Sequence, residues 1–274
     1  MRNVGRKLGF VIAASNHGTM ILNRFDYRMT GPDQATGVGL QLLETGAFDP
    51  VEVEMAVQLL ETRRRYHGDG VVAIDCGANI GVHTIEWATA MNGWGSVVAI
   101  EAQERIYYAL AGNIAINNCF NAICMNAAVS SENGTMRVPA LDYLTASNFG
   151  SLELRQRDDN EFIGQPVDYS DSGTAIVQKI TLDTLTLPRV DLIKIDIEGM
   201  EMEALEGARE IIERSRPILL IESIKCDREA LRALLQDCGY RVIDAGINVL
   251  AIHLSDPTLT QLNGATATAA SSAA

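Results

Sequence analysis

No stretch of this chain approaches the ~20 consecutive apolar residues that a membrane-crossing helix needs, so no membrane partner is expected. Basic residues are scarce: 22 Lys and Arg stand against 35 Asp and Glu, a formal net charge of −13. That argues against broad nucleic-acid binding, which rests on Lys and Arg neutralising phosphates. The local cluster Arg63-Arg64-Arg65 reads as the solvated end of a helix. Cysteine is sparse and badly spaced for metal or disulfide work. There are five, Cys76, Cys119, Cys124, Cys226 and Cys238, an odd number with no CxxC pair. Reduced, mostly buried thiols in a cytoplasmic protein are expected instead. A secretory leader is also not expected, because the apolar run after Arg2, Arg6 and Lys7 is at the short limit for one. Internal repeats are absent. So is a GxxxxGK[ST] phosphate loop, and the glycine loop at 77–81 lacks the middle glycine of GxGxxG.

What is present is a core-forming composition, 47% hydrophobic, arranged as alternating strands and helices. Strands are predicted at 71–75, 96–101, 122–129, 191–196 and 218–222. Helices are predicted from Ile80 to about Met91, Glu104 to about Asn117, Met200 to Ser215 and Arg228 to about Cys238. Apolar strands separated by amphipathic helices imply an α/β doubly wound, mostly parallel sheet covered on both faces. The last two runs, YRVID and NVLAIH, are joined by a short Gly-containing turn and suggest an antiparallel edge. Residues 1–70 read as an N-terminal extension, a candidate cover for the acceptor site. Residues 71–257 read as the main domain. An insertion at about 130–190 reads as a β-hairpin with an acidic loop, expected to be mobile near 153–173 and to form part of a lid. The low-complexity stretch 258–274 reads as a disordered tail.

The segment IDCGANIGVHT ends a strand in Asp75 and turns through Gly77, Asn79 and Gly81 into a helix. In a doubly wound sheet, ligands bind outside the carboxyl ends of the strands, and this corner lies at such an end. The glycines permit a sharp turn and close backbone approach. A carboxylate at the strand tip suits a cationic group better than a pyrophosphate. The next strand ends in Glu101, at about the spacing from which an acidic residue grips ribose hydroxyls. Amino-acid cation plus ribose points to S-adenosylmethionine. The plainer alternative is an ordinary strand–turn–helix corner with an exposed Glu.

With DCGANIGVHT, AIEAQ and DLIKIDIEGMEMEALEGA, the sequence resembles the FkbM-type methyltransferases from about residue 40 to 225. The resemblance implies the class I, Rossmann-like methyltransferase fold, with S-adenosyl-L-methionine as cofactor. It implies cofactor contact at Asp75, Gly77, Asn79 and Gly81, ribose binding at Glu101 and the adjoining Ala102, and adenine-side contact near Asn126 and Ala127. It also implies methylation of a hydroxyl oxygen on a sugar or polyketide-type natural product.

KIDIEG puts Lys194, Asp196 and Glu198 around the end of a strand, and Glu222 ends the neighbouring one. These acidic groups are expected to converge beside the transferable methyl. They suit positioning and proton acceptance. The lower-ranked alternative is Mg²⁺ held by Asp196, Glu198 and Glu222. Lys194 is read chiefly as a counter-ion for Asp196 or Glu198. Glu201, Glu203 and Glu206 are read as helix-end acids without chemistry. His83, Trp87, Trp94, Tyr107 and Tyr108 are read mainly as packing residues. His253 is a weaker candidate for approaching the acceptor. The resulting expectation is a methyltransferase acting on a small-molecule or saccharide hydroxyl. Its rivals are a non-catalytic S-adenosylmethionine-binding module and, less favoured, a dinucleotide oxidoreductase. The sequence does not specify the oligomeric state.

Overall fold

The structure, a computed structural model, describes residues 7–260. Its centre is a nine-stranded sheet. Strands β5 (Val71–Cys76), β6 (Gly95–Glu101) and β7 (Ala122–Val129) run one way from the middle. Strands β10 (Leu192–Ile195) and β11 (Ile218–Glu222) extend the sheet on the other side of β5, all five being parallel. Strand order therefore reverses between β5 and β10, which opens a crevice at their carboxyl ends. Beyond β11, the closing strands β12 (Tyr240–Ala245) and β13 (Asn248–His253) form the expected hairpin. Its second strand inserts antiparallel against β11. At the other edge, β8 (Gly134–Pro139) and β9 (Thr174–Ile180) form an antiparallel pair, β9 lying parallel to β7.

Both sheet faces are buried because period-two alternation sends neighbouring residues to opposite sides. Val71, Ala73, Val97 and Leu192 pack with helices α2 (Pro50–His67), α3 (Val82–Ala90) and α4 (Glu104–Ile116). Ile74, Val98, Ile193, Ile195 and Leu219 pack on the other face, with helices α5 (Glu201–Glu206), α6 (Arg209–Ser215) and α7 (Arg228–Asp237). The last helix is capped at its start by the Asp227 side chain, which accepts from the amides of Glu229 and Ala230.

The helix expected over 200–215 is instead two. Gly207 lies against the Ser130 carbonyl, where a Cβ would collide. Asp183 then accepts from the amides of Glu210 and Ile211 and so caps the second piece. Arg63 departs from its expected solvated place. It is 5% exposed and bonds Asp191 and Asp256, while Arg64 lies over the Trp94 ring. Asp191 in turn accepts from the Val72 amide, so the ion cluster ties α2, β5 and β10 together at the end of the sheet away from the crevice. Of the five free cysteines only Cys76 and Cys119 are buried. Thr258 and Leu259 are buried in a helical turn, unlike the expected tail; the rest of that tail, 261–274, lies outside the described residues. Phe10–Ser15, within the run considered as a leader, is a strand.

Two segments wall the crevice. The first comprises a hairpin, β1 (Phe10–Ser15) with β2 (Gly18–Asn23), a second hairpin, β3 (Arg28–Gly31) with β4 (Gln34–Thr36), and helix α1 (Val38–Thr45). It docks on α4 through Asn113, which exchanges hydrogen bonds with the Ile21 backbone. The second wall is the insertion between β8 and β9. Buried Asp26 joins the walls: one carboxylate oxygen accepts from the Gly39 amide and the other from Phe149. Segment 153–173 has no regular strand or helix, yet Leu154, Ile163 and Gln165 are buried, so it is anchored more firmly than its composition suggested. Among the described residues no helix is long and apolar enough to cross a membrane.

Candidate active site

At the tip of β5 the backbone reaches the crevice through a sharp turn. Gly77 has φ 76° and packs so tightly on the Asp196 carbonyl that no Cβ fits. Asn79 is also left-handed, at φ 51°, and its side-chain oxygen accepts from the Ile80 amide. Gly81, at φ 93°, precedes α3 and leaves room for Leu110. Asparagine tolerates this region through local hydrogen bonding, and glycine has no penalty there.

Two carboxylates flank this turn. Asp75 is 1% exposed; one oxygen accepts from the Thr84 hydroxyl at 2.6 Å, and the other, Oδ1, is buried without a partner. An unpartnered buried carboxylate oxygen is costly unless a donor arrives. Glu101 accepts from the amides of Asn79 at 3.0 Å and Gln103 at 2.8 Å. Burial pushes its carboxyl up to about 7 despite those bonds. Ala102 and Ala127 line the same cavity. Asn126 takes a different position: its amide donates to the carbonyls of Glu101 and Ala102 and so shapes the β6 tip without lining the cavity.

On the other side of the crevice, Asp196, Glu198 and Glu222 come together, with carboxylate oxygens within 4.8 Å of one another. The convergence expected from sequence is present, and its charge balance is specific. Lys194 Nζ lies 2.7 Å from Asp196. Burial alone would lower this lysine, but Asp196, Asp75 and Glu52 raise it above the ordinary range. Glu198 has φ 54° and meets Lys225 at 2.6 Å. Burial pushes Glu198 up to about 7, against the pull of Lys225 and with the charge of Asp196 adding to the rise. Burial, then Asp196 and Glu198, drives Glu222 up to about 8; its Oε2 is buried with no partner.

Several contributors were not apparent in the sequence. Glu201, read as a helix-end acid, is 1% exposed and accepts from the amides of Ile197 and Gly199, fixing the loop that carries Glu198. Lys225 reaches Glu153 and Glu161 in the insertion as well as Glu198. Arg28 bonds Glu161 at 2.5 Å. Glu52 bonds Asn248, and His83 Nε2 lies 3.1 Å from it. The acidic register at the N-terminus of α5 was the one available signal, for Glu201. The others are meetings of residues far apart in the chain. His253 is excluded from the acceptor side: it ends an antiparallel strand, packs edge-on to Tyr240 and lines no part of the cavity. Tyr107 and Tyr108 do not line it either.

Both groups of residues open onto one cavity of about 650 Å³, within the ~300–1,000 Å³ usual for small-molecule sites. The unpartnered Asp75 oxygen at a strand tip suits an amino-acid ammonium, and Glu101 has lone pairs free for ribose hydroxyls. Switch-point crevice and glycine turn define the class of the fold, Rossmann-like, on which S-adenosylmethionine-dependent methyltransferases are built. The comparisons narrow this. The model of the "Methyltransferase FkbM domain" matches residues 75–242, and the chain belongs to that family. It is similar to methyltransferase sdnD of Sordaria araneosa, at 24% identity over 190 residues, covering 62% of this chain and 73% of that protein. Among solved structures it is similar to methyltransferase FkbM from Methylobacillus flagellatus KT, at 19% identity and a TM-score of 0.47. That match covers 68% of this chain and 43% of the other, so this chain spans under half of that relative. A precorrin-6y C5,15-methyltransferase from Geobacter metallireducens GS-15 matches at 15% identity and a TM-score of 0.41, covering 76% of this chain and 89% of that one.

Proposed function

We propose that the chain methylates a hydroxyl oxygen of a small-molecule or saccharide acceptor, with Asp196 as proton acceptor. The observation that carries this reading is the meeting of Asp196, Glu198 and Glu222 in the cavity that also holds Asp75 and Glu101. When bound, S-adenosylmethionine supplies a methyl group on a cationic sulfur, which departs as a neutral thioether. Asp75 Oδ1 accepts from the ligand's ammonium and Glu101 from its ribose hydroxyls. The acceptor hydroxyl loses its proton as its oxygen gains the methyl, and Asp196, its side chain 36% exposed against 14% for Glu198, is suited to take it. Lys194 holds Asp196 in place through its 2.7 Å contact with the carboxylate.

The same three carboxylates resemble a hard-cation set, but they fit Mg²⁺ poorly. Lys225 and Lys194 already place ammonium groups against Glu198 and Asp196. Turnover should survive exhaustive chelation; loss on chelation with recovery on adding Mg²⁺ or Mn²⁺ would replace the base reading with a metal one. The test of the reading as a whole is an acceptor screen with labelled methyl donor followed by mapping of the product. Label on oxygen supports it. Label on carbon or nitrogen, or tighter binding of NAD than of S-adenosylmethionine, would sink it.

A further inference from the structure

We propose that the acceptor carries an ammonium group beside its reacting hydroxyl, an inference that rests on the O-methylation reading and adds the charge class of the substrate. Besides Asp75 and Glu101, the cavity is lined by Glu44, Asp49, Glu161, Asp196, Glu198 and Glu222. The cations that answer them are Arg28 on Glu161, Lys194 on Asp196 and Lys225 on Glu198. Lys194 also acts by its charge on Asp49 and Glu222, so one ammonium is shared among several carboxylates. A bound sulfonium balances one charge and leaves the rest of the excess facing the acceptor.

Hydrogen bonding adds a local reason at Glu222, while the one unpartnered donor nitrogen of an arginine on the cavity wall is Arg28 Nε. Three buried carboxylate oxygens have no donor: Asp75 Oδ1, Glu201 Oε2 and Glu222 Oε2. Asp75 and Glu201 are each 1% exposed, and Glu201 is close enough to raise Glu222 by its charge. The cofactor's own ammonium answers Asp75. Glu222, which lines the cavity, remains an acceptor without a donor. A phosphate or carboxylate on the substrate offers no donor and would be repelled. A hydroxyl offers one donor without charge. An ammonium offers three donors and a charge of the needed sign. The net charge of −13 further disfavours approach of anions.

The test uses the full chain saturated with the demethylated cofactor. It is titrated at a pH above the range in which Glu198 and Glu222 ionise, about 7 and about 8. The probes share one ring: trans-2-aminocyclohexanol, trans-cyclohexane-1,2-diol and the monophosphate of that diol. The amine should bind at least about tenfold more tightly than the diol, and the phosphate more weakly than either. Glu222→Gln should shrink the amine's advantage over the diol, while cofactor affinity, read on the same samples, stays nearly unchanged. Equal or tighter binding of the diol, tightest binding of the phosphate, or no measurable binding of the amine would overturn the inference. Product mapping with labelled methyl donor separates the two claims. Preferred O-methylation of the diol removes the ammonium inference and leaves the O-methylation reading standing. Methyl on the amine nitrogen removes the O-methylation reading instead.

Discussion

The two ends of the cavity are built differently. At the end proposed for the cofactor, the tips of β5 and β6 hold each other through backbone groups: Gly77 and Ala78 amides donate to the Ile100 carbonyl, and Glu101 binds the amides of Asn79 and Gln103. At the end proposed for the acceptor, side chains hold side chains across long stretches of sequence. Lys225 joins Glu198 to Glu153 and Glu161, and Arg28 joins the N-terminal wall to Glu161. A backbone-built site serves a ligand common to a whole class, while a side-chain-built site can change its acceptor without disturbing the turn. The comparison therefore implies that binding and transfer fail separately when each end is damaged.

The largest separation should come from Asp196→Asn. Loss of the base should lower the transfer rate by about 10²–10⁴ with little change in cofactor affinity, read by labelled methyl transfer and calorimetry on the same sample. A comparable loss, but of stability, is expected from Arg63→Ala, remote from both ends. It leaves Asp191 and Asp256 buried and uncompensated, at about 3–5 kcal/mol in a denaturant titration, with cofactor affinity of the remaining folded protein intact. Glu101→Ala strikes the cofactor end alone. Losing charge-assisted bonds to ribose should weaken binding by about 1.5–3 kcal/mol, while the rate at saturating cofactor stays near that of the wild type.

A smaller effect sharpens the contrast in pH dependence. Folded-state values of about 7 for Glu101 and Glu198 and about 8 for Glu222 lie above the ordinary 4.5, so the folded chain binds more protons than the unfolded chain in that window. Stability should therefore fall as pH rises from about 4.5 to about 8. Glu222→Gln should flatten that slope up to about pH 8 and Glu101→Gln only up to about pH 7. An unchanged slope in both variants would mean that these groups are not buried as described.

What the sequence revealed follows the same division. The strands at 122–129, 218–222 and 248–253 have the bounds expected of them; at 218–222 both faces are buried, so nearly every residue carries the signal. The glycine turn and its two carboxylates were legible because they lie within one β–turn–α unit and at the next strand tip. The convergence of Asp196, Glu198 and Glu222 followed from topology alone. Lys225, Arg28 and Glu52 were not legible, since nothing local marks a residue whose partner lies tens of positions away. Arg63 misled for a related reason: within RRR it looks like its exposed neighbours, and only the helix phase and distant Asp191 and Asp256 bury it. The break at Gly207 was hidden because α5 and α6 share one apolar stripe, and the interrupting cap comes from Asp183.

The most direct test crosses the two ends in one experiment: cofactor dissociation constant and single-turnover methyl-transfer rate, measured for wild type, Glu101→Gln, Asp196→Asn and the double variant. Separate ends should give a raised dissociation constant with Glu101→Gln alone, a lowered rate with Asp196→Asn alone, and additive effects in the double variant. Loss of cofactor affinity in Asp196→Asn, or full transfer by that variant at saturating cofactor, would contradict the division of the cavity into a binding end and a reacting end.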